Sequence, residues 1–173
     1  TLEKLFEDLS SAINFKTDNF DLSAWDVSNV TNMSMMFNKL SVIDDKIVSR
    51  SNFNMPLDMW ADKVKNVTNM QGMFSHCIEF NQSLDNWDVS SLINANDMFN
   101  GCEKFNGSLN GWGAKIKNLH YCGSMFEGCL AFDKPLDKWD VSNLMFISGM
   151  FCNCISYNQN LNDWNVANFR DTI

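Results

Sequence analysis

Six near-identical phrases built around tryptophan constrain this chain more than any other feature of its sequence. Every Trp is preceded three positions earlier by a Leu, and successive Trp are separated by 35, 27, 25, 27 and 25 residues. A Met-Phe pair follows the Trp in five of the six copies. One copy cannot close a core alone, so this regularity predicts a repeat protein whose copies stack. The six Trp are Trp25, Trp60, Trp87, Trp112, Trp139 and Trp164.

The spacing of apolar residues within a copy predicts how the backbone runs. Leu84-x-x-Trp87-x-Val89 matches the L-x-x-L-x-L core of a leucine-rich repeat. A short strand is expected near the x-Val-x triplet, paired in parallel with the next copy. Residues 90–102 are expected to form a tight helical or 3₁₀-like return. The predicted fold class is therefore an α/β repeat solenoid, a right-handed leucine-rich-repeat-like coil with short parallel strands.

The pattern predicts a single repeat domain over residues 1–173. Residues 1–14 carry apolar side chains at helical spacing and are predicted to form an N-terminal capping helix. About six repeats occupy residues 15–173, and an insertion at 41–52 accounts for the one long interval. The last copy stops within the repeat, at "NVANFRDTI". We therefore expect either a longer array or end-to-end self-association at this end.

Charge and hydropathy exclude two classes of partner. The formal net charge is −8, which disfavours a nucleic-acid partner held by phosphate contacts. No apolar run approaches the roughly 18 residues that a membrane span needs, so no membrane insertion of this segment is expected.

A column of alternating charge marks a candidate binding face. Anchored on the Val or Ile after each Trp, Asp and Lys alternate from copy to copy. One interpretation is a solvated face on which neighbouring charges neutralise one another. The other is a concave surface of opposite charges that recognises a protein. The residues of this candidate face are Asp26, Lys63, Lys65, Asp88, Lys115, Lys117 and Asp140.

The positions of the cysteines within the repeat indicate core residues rather than a metal or redox site. Cys77, Cys102, Cys129 and Cys154 all stand three residues after the Phe of Met-Phe, in a column that holds Leu in the first copy. Cys122 shares a column with Met, Ala and Ile, whereas Cys152 falls in a polar column. Buried free thiols are therefore expected, with no metal and no cofactor. A disulfide between stacked Cys stays open as an alternative.

Catalysis is disfavoured because the Asp pairs that resemble catalytic carboxylates recur from copy to copy. Asp85 with Asp88, and Asp137 with Asp140, could imitate the carboxylate pair of a glycosidase. A catalytic pair should occur once, and this one repeats with the copies. A carbohydrate-processing enzyme is kept only as the third and weakest hypothesis.

The insertion is the one segment that repetition does not explain. Loops specific to one repeat often carry a difference in binding. Its charged residues therefore form a candidate binding loop, with a neutral insertion as the alternative. These residues are Asp44, Asp45, Lys46 and Arg50.

The phrases "WDVSNVTNMSMMF", "FNQSLDNWDVSSL" and "MFNGCEKFNGSLNGW" closely resemble the BspA-type leucine-rich-repeat surface proteins. Within that group they are similar to the branch of 25-residue repeats associated with mycoplasma lipoproteins. The resemblance covers residues 15–173. It implies an exported or surface-attached bacterial protein that binds host proteins or other cells, with no catalytic motif to carry over.

Two functional hypotheses follow. The main one is a non-enzymatic protein-interaction or adhesion module of a bacterial surface or secreted protein, which offers a rigid surface to a protein partner. The alternative is a structural spacer or stalk segment that projects another domain and binds nothing itself.

Overall fold

The computed structural model describes residues 21–38, 40–43 and 46–170. Its regular elements are a β-hairpin of β1 (Leu40–Ile43) and β2 (Lys46–Arg50), and two 3₁₀ helices, η1 (Asp58–Val64) and η2 (Asn110–Asn118). The strands pair antiparallel, with a register shift between Ser41 and Val42. The predicted capping helix over residues 1–14 lies outside the described residues.

The copies stack on one another along the chain, and each is called a rung here. The rungs span residues 21–38, 53–79, 80–104, 105–131, 132–156 and 157–170, and they are numbered one to six. Four backbone N–H groups of the third rung donate to carbonyl oxygens of the fourth rung at 2.7–2.9 Å. The second and fourth rungs are joined to their successors in the same way. In the third rung the donors are Ala95, Asp97, Phe99 and Gly101.

The predicted α/β solenoid with parallel strands and helical returns is wrong. Within the described residues no α-helix forms, and parallel pairing is limited to isolated bridges. Four of these bridges link the residues five positions after the Val or Ile of each rung, and none lies at the x-Val-x triplet. They join Asn32 to Asn69, Asn69 to Asn94, Asn94 to Tyr121, and Tyr121 to Phe146.

Residues in the left-handed conformation explain why no strand develops within the described rungs. Asp97 and Gly101 adopt positive φ, at 56° and 71°. The residues that lie between the inter-rung donors form hydrogen bonds within their own rung. The N–H of Met98 donates to Ala95 O, and the N–H of Asn100 donates to Asp97 O. Alternate N–H groups thus bond across rungs, while those between them close tight turns. Within the described rungs the backbone therefore does not stay extended long enough to form a strand.

The two 3₁₀ helices account for the alternation of repeat length. The long rungs carry two extra residues between the Trp and the following Val or Ile, as in "WADKV" and "WGAKI", where short rungs read "WDV". Both insertions lie inside a 3₁₀ helix, over Asp58–Val64 and Asn110–Asn118. The extra residues are therefore absorbed locally, and the Val or Ile returns to the core.

The core is a set of aromatic and aliphatic columns. Trp60, Trp87 and Trp112 are fully buried and Trp139 nearly so, while Trp25 and Trp164 are partly buried. The prediction of a buried Trp column is confirmed for the four inner rungs. Beside it runs a continuous pile of aromatic rings in which the Phe of each Met-Phe stacks on the first aromatic of the next rung. The pairs at 3.8–4.6 Å are Phe37–Phe53, Phe74–Phe80, Phe99–Phe105, Phe126–Phe132 and Phe151–Tyr157.

Three of the four inner indoles also tie their rung to the one before. The Nε1–H groups of Trp87, Trp112 and Trp139 donate to the carbonyl oxygens of Leu57, Leu84 and Leu109 at 2.9–3.0 Å. Trp60 Nε1 has no hydrogen-bond partner among the described residues. The hairpin lies in the chain between the first and second rungs, which is the junction where the indole bond is missing.

We predict that Trp87→Ala lowers the free energy of unfolding by about 3–5 kcal/mol, because it removes a fully buried side chain and its hydrogen bond. Trp164→Ala, at a partly buried position, should lose clearly less. Urea denaturation measures both. A loss below about 1 kcal/mol for Trp87→Ala would contradict the buried column.

Candidate binding surface

The Asp residues of the predicted charged face are turn-forming residues. Asp26, Asp88 and Asp140 each accept a hydrogen bond from the backbone N–H two residues later, at 3.0, 3.1 and 3.2 Å. This is an Asx turn, in which a short polar side chain closes the backbone. The hydrogen bonds from Ser28 to Asp26 hold the pKa of that carboxyl below its usual value. Asp therefore recurs in the short rungs for a local structural reason.

The Lys residues of the same face belong to the long rungs. Lys63 and Lys115 lie inside the 3₁₀ helices, and Lys115 Nζ donates to Trp87 O at 3.1 Å. Among the described residues the ion pairs are Arg50–Glu103 and Lys104–Glu79, so the alternating column forms no direct pair. The Asp–Lys alternation thus follows turn type. Recognition by this face stays a prediction.

The candidate loop forms a β-hairpin whose C-terminal end contacts the stacked rungs. Asp44 and Asp45 lie outside the described residues, and Lys46 begins β2. Arg50 ends β2 and forms an ion pair with Glu103 of the third rung. Ser51, directly after it, forms an isolated parallel bridge with Cys77. The hairpin is therefore fixed to the second and third rungs at its exit.

The thiols have a structural role that the sequence only partly indicated. Cys77, Cys102 and Cys129 are fully buried, and each Sγ–H donates to the carbonyl oxygen of a Phe one rung earlier, at 3.0–3.2 Å. All six Cys are free. Cys122 is buried and Cys152 exposed, as their columns predicted, but Cys154 is only half-buried. No cluster of three or more potential metal-binding His, Cys, Asp or Glu occurs among the described residues.

An exposed apolar patch lies on and beside the bridge column in the third to fifth rungs, at a place that sequence reasoning missed. Ile93, Tyr121 and Phe146 are 42%, 37% and 37% exposed. The rings of Tyr121 and Phe146 stack with centroids 5.2 Å apart and planes 4° from parallel. The N–H of Tyr121 donates to Ile93 O, which places the three residues on adjacent rungs. We call Ile93, Tyr121 and Phe146 the aromatic patch.

Tyr121 and Phe146 stand in a column where earlier rungs carry Asn, whose side chain accepts a backbone hydrogen bond. In the first three rungs the bridge column holds Asn32, Asn69 and Asn94, whose Oδ1 atoms accept the N–H two residues later at 2.9–3.0 Å. Tyr121 and Phe146 have no such acceptor. The N–H of Gly123 bonds instead to Asn96 of the preceding rung. The aromatic side chains therefore forgo a local hydrogen bond and stack on each other instead, and they leave part of their apolar surface exposed.

We predict that Cys152 reacts with a thiol reagent fastest, Cys154 more slowly, and Cys77, Cys102, Cys122 and Cys129 only after unfolding. The order follows exposure, and burial raises the pKa of Cys77 to about 12 and of Cys154 to about 11. Mass mapping after brief native labelling measures it. Rapid modification of Cys102 would show that the Met-Phe-x-x-Cys column faces solvent.

We also predict that stability falls at alkaline pH. Burial keeps the Cys77 thiol protonated in the folded state, whereas the unfolded chain loses this proton from its ordinary pKa of 9.0 upward. The contribution is therefore fully present below that pH and is lost as pH rises toward about 12. The urea midpoint should fall between about pH 8 and about pH 10.5.

A matched pair of variants isolates the thiol in that experiment. The decline of the urea midpoint should be shallower in Cys77→Ala and unchanged in the exposed-site control Cys152→Ala. Equal slopes in the wild type and Cys77→Ala would contradict the link to the buried thiol.

In the part of the chain that the structure describes, no helix has the length and apolar character required to cross a membrane. Comparison with known proteins finds no match among curated proteins and none among solved structures. A family model described as "Mycoplasma protein of unknown function, DUF285" matches residues 1–122 and 114–172. The two matches together cover nearly the whole chain, which therefore belongs to the DUF285 family of Mycoplasma proteins.

Proposed function

We propose that this chain is a non-enzymatic protein-interaction or adhesion module of a bacterial surface or secreted protein, and that the aromatic patch is its contact surface. The observation that carries the proposal is the change of the bridge column from Asn to Tyr121 and Phe146. Membership of a Mycoplasma family and the resemblance to BspA-type surface proteins support the bacterial surface setting.

The composition of the aromatic patch suits a protein partner. Aromatic residues are enriched at the centres of protein interfaces, where a few of them supply most of the binding free energy. Tyr121 adds a hydroxyl group that can remain hydrated or bond to the partner. Ile93 adds an exposed apolar side chain in the preceding rung, next to the bridge column.

The stack holds the aromatic patch in place before binding. Ile93 O accepts the N–H of Tyr121, and His120 O accepts the N–H of Phe146, at 3.1–3.2 Å. The two rings also stack on each other. A contact surface that is already ordered loses less conformational entropy on association, which favours affinity.

The alternative function is a structural spacer. The unbroken pile of aromatic rings from Phe37 to Tyr157 and the hydrogen bonds between rungs favour a stiff body that could project another domain. A spacer requires no exposed aromatic residues. The two functions are therefore separated by whether the aromatic patch binds anything.

We predict that the double variant Tyr121→Asn/Phe146→Asn binds its protein partner at least about tenfold more weakly than the wild type. Asn is the residue of the same column in earlier rungs, so the variant should keep the fold, with a small loss of stability from the missing ring stack. Binding is measured on an array of purified host extracellular proteins and glycans, and then by surface plasmon resonance. Thermal unfolding checks the fold.

The matched control is Met35→Asn, which removes another exposed apolar side chain away from the patch, at a left-handed position that Asn tolerates. It should bind like the wild type. Equal binding by the double variant and the wild type would contradict the patch assignment. No protein bound on the array would favour the spacer, and binding to glycans alone would overturn the protein-interaction proposal.

A further inference from the structure

A groove of about 350 Å³ lies where the hairpin rejoins the stack, apart from the aromatic patch. Arg50 and His76 line one end and Asn153 and Ile155 the other. This volume is at the small end of the range for ligand sites. The groove runs along the stack across the second to fifth rungs, so it suits a narrow, elongated ligand.

The floor of the groove is one of the two columns of left-handed residues. His76, Gly101, Gly128 and Asn153 occupy equivalent positions two residues after the Phe of Met-Phe, with φ of 59°, 71°, 69° and 58°. His76 and Asn153 show that this conformation accepts a side chain here. Positive φ alone therefore does not require the two glycines.

Packing explains one glycine and leaves the other unexplained. A Cβ atom at Gly101 would lie 2.6 Å from His76 Nδ1, so Gly101 makes room for the imidazole ring. A Cβ atom at Gly128 would lie 3.6 Å from Gly101 Cα, an ordinary van der Waals contact. The missing side chain at Gly128 thus opens the floor without serving the packing. Glycine is the residue that lets another backbone approach closely.

The walls of the groove carry no net charge. Arg50 is paired with Glu103, and both side chains are part-exposed. Burial is the main cause that lowers the pKa of His76, with the nearby Arg50 charge adding to it, so the imidazole is neutral at neutral pH. A charged ligand would therefore find no unpaired opposite charge among these residues.

The far part of the groove combines apolar surface with an amide. Leu130 and Ile155 are 38% and 80% exposed and stand at equivalent positions in the fourth and fifth rungs. Asn153, at the end of the floor, contributes a side-chain amide. Arg50 donates one N–H group to Glu103, and the guanidinium carries further N–H groups that can act as donors. The groove thus offers aliphatic contacts together with hydrogen-bonding groups for a peptide backbone.

We propose that this groove binds a short, uncharged, extended peptide segment with an aliphatic side chain, its backbone lying over Gly128 and passing beside the His76 ring. Successive rungs stand about 4.8 Å apart, so the floor from His76 to Asn153 spans roughly 14 Å, or about four extended residues. The aliphatic side chain packs on Leu130 and Ile155. Backbone amides bond to Asn153 and to the free N–H groups of Arg50.

The probe is a library of N-acetylated, C-amidated hexapeptides with one fixed Leu, Ile or Val and with neutral or charged residues elsewhere, read by ligand-observed NMR. The wild type should select neutral sequences. In Gly128→Asn the new side chain fills the floor in a conformation that Asn153 already adopts, and affinity should fall at least tenfold. Selection of charged peptides, or of none, would overturn the proposal.

Three further variants make the result specific. Gly149→Asn, in the other left-handed column, and Tyr121→Asn/Phe146→Asn, in the aromatic patch, should both bind the selected peptides like the wild type. Leu130→Asn should also weaken binding. If Gly128→Asn has a lowered thermal midpoint, its loss of binding could reflect a damaged fold, and Leu130→Asn then serves as the test variant in its place. Unchanged affinity in Gly128→Asn, or in Leu130→Asn where it is the substitute, would overturn the site. Loss of binding in the aromatic-patch variant would place the peptide elsewhere and overturn it too.

Discussion

The structure depends on one set of hydrogen bonds, the four N–H groups that the second, third and fourth rungs each donate to the next rung. They recur at 2.7–2.9 Å from the second rung to the fifth, always from alternate residues around the Met-Phe pair. Side chains extend this set around the coil. Indole Nε1–H and thiol Sγ–H groups donate to backbone carbonyls of the preceding rung. Because burying an unpaired polar group costs free energy, these bonds favour the array in which the copies stack in register.

The columns of the core could be predicted from the sequence, and the backbone could not. Trp87, Leu84 and Phe99 are core residues in any structure that stacks the copies in register, so repetition was sufficient to place them. The secondary structure was inferred from leucine-rich repeats, and that inference was wrong. The relevant signal was Gly72, Gly101, Gly128 and Gly149, which stand two residues before or after a Phe of Met-Phe. They mark positions in the left-handed conformation, which prevents a strand.

The surface was predicted less well, because the repeat pattern conceals the reason for each residue. Asp88 suggested a charged face, but its carboxylate closes an Asx turn. Cys102 was correctly placed in the core, and its hydrogen bond to Phe74 O was not foreseen. The most informative positions are those that depart from their own column. Tyr121 and Phe146 replace Asn, and Gly128 stands in a column that also holds His76 and Asn153. Reading each column for such departures would have found them in the sequence.

Native-state hydrogen exchange tests the central claim most directly, because it measures the bonds between rungs one amide at a time. The N–H groups of Gly72, Asp97 and Ser124 are donated to the next rung, whereas no acceptor for those of Phe151 and Asn153 is found among the described residues. We predict slow exchange, at rates set by global unfolding, for the first three and fast exchange for the last two. Similar, fast exchange at all five positions would show that turns within each rung hold the structure, and would contradict this account.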